Sequence, residues 1–149
     1  MKDLSLVYYV KISKDEDGYT SSYRDISGTY SEGDTFEECL YNSQEALEVM
    51  LLTLLDEGYK IPEPTQKRAG EYPVYVKPEI SAPILLQHLR KRTKKKLSDI
   101  ANITGEPYQA YQRLEYSKNM TFKKFDKAVT ALGGKAELII HFPSEAKEI

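Results

Sequence analysis

The chain has 149 residues, 40% of them hydrophobic and 30% charged, and its formal net charge is −2. These values are typical of an ordinary soluble protein, and the longest strongly apolar run, Val49–Leu55, is far too short to cross a bilayer. A single cysteine excludes an intrachain disulfide framework, so we expect a cytoplasmic protein, without a membrane partner, in which Cys39 is a buried thiol.

The first half of the chain predicts the element order βββαβ. Apolar and β-branched residues between turn signals predict three strands, at Leu4–Ser13, Tyr19–Tyr23 and Gly28–Ser31. Thr35 is expected to cap a long helix, with Glu38 placed to complete a capping box, and Gly58 is expected to end it. The alternation in Pro73–Lys77 predicts a final strand.

The second half predicts helices. Residues 78–83 hold few bulky side chains and are predicted to be a linker between a domain at 1–77 and a domain at 84–149. Amphipathic spacing predicts four helices after the linker, and Ala136–Phe142 predicts a strand that pairs across a dimer. Because two cores of about 70 residues are each marginal, we expect a homodimer or tetramer.

The segment 97–116 predicts two helices joined by a turn at Gly105. Ala101 is small enough to let the second helix approach closely, and Tyr111 and Leu114 are three residues apart and face inward. Arg and Gln side chains on the outward face are suited to bidentate contacts with guanine and adenine. These outward residues are Tyr108, Gln109, Gln112 and Arg113.

A basic cluster, Arg90–Lys96, precedes these helices and is suited to phosphate contact, with Lys94, Lys95 and Lys96 nearest to them. The A-xxx-G, Leu114-Glu115 and F-xxx-V-xx-LGG elements together resemble the Cro/repressor type of helix-turn-helix. That family usually opens the first of the two helices with a hydroxyl cap and Gln, where this chain has Lys96 and Leu97. The alternative is a small helical bundle with a solvated basic face.

The charge is distributed unevenly along the chain. Residues 1–72 hold 7 basic and 15 acidic residues, a net of −8, whereas residues 73–149 hold 14 basic and 8 acidic residues, a net of +6. An acidic half suits a basic partner and a basic half suits a polyphosphate. The two halves therefore predict two different partners.

Several short motifs occur in order in the acidic half. They are Gly18-Tyr19, Tyr23–Gly28, Gly33-Asp34-Thr35, Glu38, Glu45-Ala46-Leu47 and Ile61–Pro64. This order resembles the HicB antitoxin family, whose pattern runs G-Y, F-P-D-L-P-G, G-D-T, E-A, E-A-L and P-x-P. Arg24 and Ser27 replace two family prolines, and Cys39 stands where the family often has Ala.

The resemblance implies an α+β protein: a partial ribonuclease-H-like βββαβ domain that lacks catalytic groups, followed by an all-α helix-turn-helix domain with a short C-terminal strand. It implies that the first domain masks HicA, a small basic ribonuclease toxin, and that the second binds double-stranded operator DNA and represses the operon. Motif position places toxin contacts at Tyr23, Asp25, Ile26, Glu32 and Asp34. A turn-building role for Asp25 and Asp34 remains open.

Two other functions are weighed against this interpretation. A stand-alone repressor whose first domain senses a small molecule would share the DNA-binding half. A metal-dependent nuclease would use carboxylates such as Asp15, Asp17, Asp25 and Asp34, although an acidic stretch before Gly18 is more simply a hairpin turn. With no glycine-rich phosphate loop and two widely separated histidines, we expect neither a cofactor nor an enzyme.

Overall fold

The structure, a computed structural model, describes residues 3–142. These residues divide into two compact units: a front unit of residues 6–77 and 140–142, and a rear unit of residues 3–5 and 78–139. No helix in this part of the chain has both the length and the apolar character that a membrane span requires.

A four-stranded antiparallel sheet forms the front unit, in the order β3-β2-β1-β4. The strands are β1 (Val7–Asp15), β2 (Gly18–Tyr23), β3 (Tyr30–Gly33) and β4 (Glu71–Tyr75). Central strand β1 places Val10 opposite Tyr23 on one side and Tyr72 on the other. The predicted βββαβ order is confirmed, with strand boundaries shifted by a few residues.

Helix α1 (Phe36–Glu57) packs against one face of this sheet. Its start is fixed by Thr35, whose hydroxyl accepts a hydrogen bond of 3.1 Å from the backbone N–H of Glu38. It ends at Gly58, which has φ 70°, a left-handed conformation that costs glycine little. Fully buried Tyr8, Val10, Leu47 and Leu51 fill the space between helix and sheet.

Four helices form the rear unit: α2 (Pro78–Thr93), α3 (Leu97–Thr104), α4 (Tyr108–Leu114) and α5 (Phe122–Ala131). Helix α5 packs on α2 and α3, and α3 packs on α4. A shared core holds them together, consisting of Leu86, Ile100, Tyr111, Ala128, Val129, Ala131 and Leu132. The rear unit therefore has an apolar interior of its own, separate from the sheet.

The structure corrects one prediction about the second half of the chain. The predicted linker, Pro78–Pro83, forms the first turns of α2. Pro78 takes the first helical position, where its missing N–H costs nothing, and buried Ile80 and Ile84 favour a continuous helix despite Pro83. Residues 136–142 also form no strand within the described residues 3–142, and the predicted pairing across a dimer, which requires a second copy, stays a prediction.

Candidate functional site

The α3–turn–α4 segment is defined at both ends of its first helix. Gly105 has φ 72°, and its N–H donates to the carbonyl of Ala101 at 2.9 Å. The N-terminus of α3 lacks a hydroxyl cap, but the carboxylate of Asp99 accepts a 2.8 Å hydrogen bond from the backbone N–H of Lys96. Asp99 therefore supplies half of a capping box without the usual hydroxyl partner.

Helix α4 has one buried and one exposed face, as its spacing predicted. Tyr111 is 6% exposed and belongs to the rear core, and Leu114 packs against the same core. The four residues predicted to face outward are all exposed, namely Tyr108, Gln109, Gln112 and Arg113. An amide pair beside a guanidinium is a set of donors and acceptors suited to base edges.

An ion pair that the sequence did not indicate connects α2 to the residue after α4. Arg90 donates from Nε and Nη2 to the two carboxylate oxygens of Glu115, at 2.6 and 3.0 Å, and the Glu115 side chain is 3% exposed. The backbone carbonyl of Glu115 also accepts a hydrogen bond of 2.6 Å from the side-chain amide of Gln87. Hydrogen bonding to Glu115 raises the pKa of Arg90, and burial raises that of Tyr111. Arg90 is thus a structural cation rather than part of a free basic cluster.

The three lysines predicted to contact phosphate occupy the connection between α2 and α3. Lys94 and Lys96 are exposed and Lys95 is half-buried. Lys94 has φ 56°, a left-handed conformation that is uncommon for a side-chain-bearing residue. This bend follows the end of α2 and leads directly into the first residue of α3.

Two of the five candidate toxin contacts are core residues in the front unit. Tyr23 is 5% exposed and donates a 2.7 Å hydrogen bond to the carbonyl of Ser43, and burial raises its pKa. Ile26 is 3% exposed. Tyr23 thus links the sheet to α1, and both buried side chains offer little surface to a partner.

Asp25 lies in a polar network that fixes the loop before β4. Its carboxylate accepts a hydrogen bond of 2.8 Å from the backbone N–H of Thr65, and it lies 3.3 Å from the guanidinium of Arg24. Arg24 also binds the carboxylate of Glu71, at 3.1 and 2.8 Å, and this hydrogen bonding lowers the pKa of Glu71. Arg24 stands at a family proline position, so no motif could have indicated this network.

The remaining two candidates, Glu32 and Asp34, are exposed and lie in an acidic region. β2 pairs Tyr19 with Gly33, and a Cβ on Gly18 would lie 2.7 Å from the Gly33 carbonyl oxygen. The tip of the β1–β2 hairpin is therefore beside the start of α1. We call this region the acidic end; its exposed carboxylates are Asp15, Glu16, Asp17, Glu32, Asp34, Glu37 and Glu38.

The open face of the sheet carries a groove of about 580 Å³. Every side chain that lines it carries a polar or charged group; these residues are Lys11, Ser13, Thr20, Ser21, Ser22, Tyr30, Ser31 and Glu32. Small-molecule sites are mostly apolar with a few polar groups, so this groove does not favour the ligand-sensing alternative. Within residues 3–142, no three His, Cys, Asp or Glu side chains converge to hold a metal ion.

Comparison with known proteins gives consistent matches. Residues 7–82 match the family described as the HicB_like antitoxin of bacterial toxin-antitoxin systems. The chain is 32% identical over 133 residues to Antitoxin HicB 2 of Photorhabdus laumondii subsp. laumondii, which covers 89% of this chain and 94% of that protein.

Two solved structures are also similar in part. The HicA3 and HicB3 toxin-antitoxin complex contains a chain with 26% identity and a TM-score of 0.41, covering 48% of this chain and 99% of that chain. The antitoxin HicB of Burkholderia pseudomallei has 22% identity and a TM-score of 0.45, covering 50% and 65%. The family match across residues 7–82 and the identity across most of the chain agree, and this chain belongs to the HicB-like antitoxin family.

Proposed function

We propose that this chain neutralises a HicA-like ribonuclease toxin in the cytoplasm through its front unit and represses its own operon through its rear unit. The observation that carries the proposal is the family match over residues 7–82, which spans the front unit. The front unit is proposed to be a partial ribonuclease-H-like fold that acts by binding rather than by catalysis.

The acidic end is the proposed toxin-contact surface. It presents exposed carboxylates around Glu32 and Asp34, and a small basic ribonuclease would be attracted to them from a distance. Tyr23, Asp25 and Ile26 are proposed to act indirectly, because burial or hydrogen bonding within the unit already engages their side chains.

Charge reversal tests this surface. The full chain carrying Glu32→Lys and Asp34→Lys should lose co-purification with the small basic protein encoded beside it, because like charges would then face each other. Glu57→Lys with Asp56→Lys makes the same change at the far end of α1, among exposed residues, and should leave the complex intact. Equal recovery of all three complexes would place the contact elsewhere.

The exposed face of α4 is the proposed reader of operator DNA. Gln109, Gln112 and Arg113 would contact base edges in the major groove, with Tyr108 beside them and Lys94, Lys95 and Lys96 at the phosphates. Supporting observations are the turn at Gly105 and the net positive charge of the second half. Two copies would place their α4 helices about 34 Å apart on a pseudo-palindrome.

Operator binding tests the reader. Gln112→Ala or Arg113→Ala should each weaken binding to the chain's own promoter DNA by about 1–3 kcal/mol relative to random DNA. The measurement is fluorescence anisotropy with both DNAs at fixed salt. Gln66→Ala, an exposed change in the front unit, is the control and should have no effect. Unchanged discrimination in both α4 variants would mean that α4 does not read sequence.

A further inference from the structure

Two rows of side chains cross β1, β2 and β3 on the face of the sheet that points away from α1. The Lys11 row is Lys11, Ser22 and Tyr30, and the Glu32 row is Ser13, Thr20 and Glu32. Ser21 faces α1, where its hydroxyl accepts a hydrogen bond of 2.6 Å from Ser43, so its neighbours Thr20 and Ser22 face the other way. The two rows line the groove of about 580 Å³ on the open face.

The polar groups of the Glu32 row are not engaged by the chain itself. Among residues 3–142, no hydrogen bond or ion pair involves the Glu32 carboxylate or the hydroxyls of Ser13 and Thr20, and all three residues are exposed. An ionised carboxylate only accepts hydrogen bonds, and each hydroxyl has two acceptor lone pairs. The row therefore presents one anion and two hydroxyls to the donors of a partner.

Differences in side-chain size give the groove its shape. Thr20 and Ser22 on β2 are short, whereas Tyr30 and Glu32 on β3 are long. The Tyr30 side chain is 71% exposed, and it precedes Glu32 by two residues on the same face of the strand. An exposed aromatic ring thus stands beside the carboxylate at the rim of a depression.

The charge changes sign along the groove. The Glu32 row adjoins the acidic hairpin tip at Asp15–Asp17, whereas the Lys11 row lies about 7 Å farther along the strands. A cation in the groove is attracted by Glu32 and repelled by Lys11. The groove therefore favours a positive group at the Glu32 row.

We propose that this groove receives an arginine side chain of the HicA-like toxin. Its guanidinium would bind Glu32, Ser13 and Thr20 and lie against the ring of Tyr30. A guanidinium has five N–H donors in one plane, can bond a carboxylate with two of them, and is attracted to an aromatic face. A lysine ammonium is more strongly hydrated and lacks this planar arrangement. The inference rests on the proposed antitoxin function and names the group that its contact surface binds.

The acidic character of the first half argues against RNA as the occupant. Nucleic-acid binding depends on cations that neutralise phosphates, and Lys11 is the one basic side chain that lines the groove within the described residues. A basic protein partner is the better match to this face.

Isothermal titration of the full chain with the small basic protein encoded beside it tests the groove. Thr20→Leu fills the depression and removes a hydroxyl without changing the charge, so the dissociation constant should rise about tenfold or more. Thr53→Leu makes the same change on the exposed surface of α1 and should leave the dissociation constant unchanged. Circular dichroism checks that both variants are folded.

Glu32→Gln keeps the shape of the groove but removes the anion, and it should weaken the complex about tenfold. Glu16→Gln removes one charge from the acidic end outside the groove. An equal loss in both variants would mean that net charge, rather than the groove, attracts the toxin. Arginine-to-lysine changes in the neighbouring protein, made one at a time, should identify one whose effect is not additive with Glu32→Gln.

The outcomes separate this inference from the proposed function. If the unaltered chain does not bind its neighbour, both proposals fall. If it binds, and neither Thr20→Leu nor Glu32→Gln weakens the complex or no arginine is coupled to Glu32, the arginine site is overturned while the antitoxin proposal stands. Weakening by both changes, with Thr53→Leu unaffected and one arginine coupled to Glu32, would support the arginine site.

Discussion

Gly33 lies where β3 meets the first turn of α1. A Cβ at this position would lie 2.5 Å from the backbone nitrogen of Cys39 and 2.9 Å from its Cα, both of which belong to a helix that cannot easily move. The glycine in the G-D-T motif is therefore explained by close backbone approach rather than by turn conformation. The motif positions the acidic end by holding β3 against the helix.

Gly33→Ala should lower the free energy of unfolding by about 1–3 kcal/mol, because overpacking displaces β3 from α1. The measurement is urea unfolding followed by circular dichroism. Gly28→Ala is the control: Gly28 has φ 77° but no atom within 4 Å of its Cβ position, so its cost is conformational, about 1 kcal/mol. A Gly33→Ala variant as stable as the parent would contradict the steric explanation.

Arg90 fixes the C-terminal end of α4 through the buried carboxylate of Glu115. Arg90→Ala should cost about 3 kcal/mol in unfolding free energy, because it leaves a buried charge without its partner. Pairing it with Glu115→Ala should recover part of this loss in a double-mutant cycle. Additive losses in the cycle would show that the two side chains do not stabilise each other.

At the level of elements, the ends of helix α1 and the buried face of helix α4 could be predicted, because neighbouring residues determine them. The cap at Thr35 and the left-handed Gly58 bound α1 where expected, and the spacing of Tyr111 and Leu114 gave the buried face of α4. Sequence could not predict that Pro78–Pro83 is helical, because the burial of Ile80 and Ile84 is a tertiary effect.

Contacts between distant residues escaped prediction for a related reason. Arg24 and Glu71 are 47 positions apart, and Arg90 and Glu115 are 25 apart. No periodicity or spacing reports such pairs, and the sequence predicted Arg90 only as part of a basic cluster. Motif position likewise predicted toxin contacts at Tyr23 and Asp25, whereas both side chains form hydrogen bonds within the front unit.

The loop before β4 should be sensitive to acid through Glu71. Its folded-state pKa is lowered from the ordinary 4.5, mainly by the hydrogen bond from Arg24. The contribution of Glu71 to the free energy of unfolding is therefore fully present above pH 4.5, and it is lost as the pH falls through the lowered pKa. Urea unfolding between pH 7 and pH 3 should show a steeper loss of stability in the parent than in Glu71→Gln.

Glu16→Gln, at the exposed hairpin tip, is the matched control for the acid series. Its pH profile should follow that of the parent, because the Arg24–Glu71 contact remains. If Glu71→Gln and the parent have parallel profiles, the ion pair does not contribute to the pH dependence of the front unit.

At the scale of the whole molecule, the separation of charge supports the proposal that the two halves of the chain bind different partners. Each phosphate contact made by a lysine should change the slope of log K against log salt by about 0.9. Lys94→Gly removes one such charge and also relieves the φ of 56°, so unfolding free energy should rise by up to about 1 kcal/mol while the slope falls.

Lys60→Ala removes an exposed charge from the front unit and should leave the salt slope of operator binding unchanged. Titration of promoter DNA at several salt concentrations distinguishes the two variants. A slope that is the same for Lys94→Gly and the parent would remove Lys94 from the proposed phosphate contacts without affecting the proposal for α4.

The most direct test of the proposed antitoxin function is growth of cells that express the full chain together with the small basic protein encoded beside it. We predict that this neighbour arrests growth alone, that the full chain restores growth, and that the two proteins purify as a stable complex. A neighbour that is harmless, or whose toxicity the full chain does not relieve, would contradict the proposed pairing of an acidic front unit with a ribonuclease toxin.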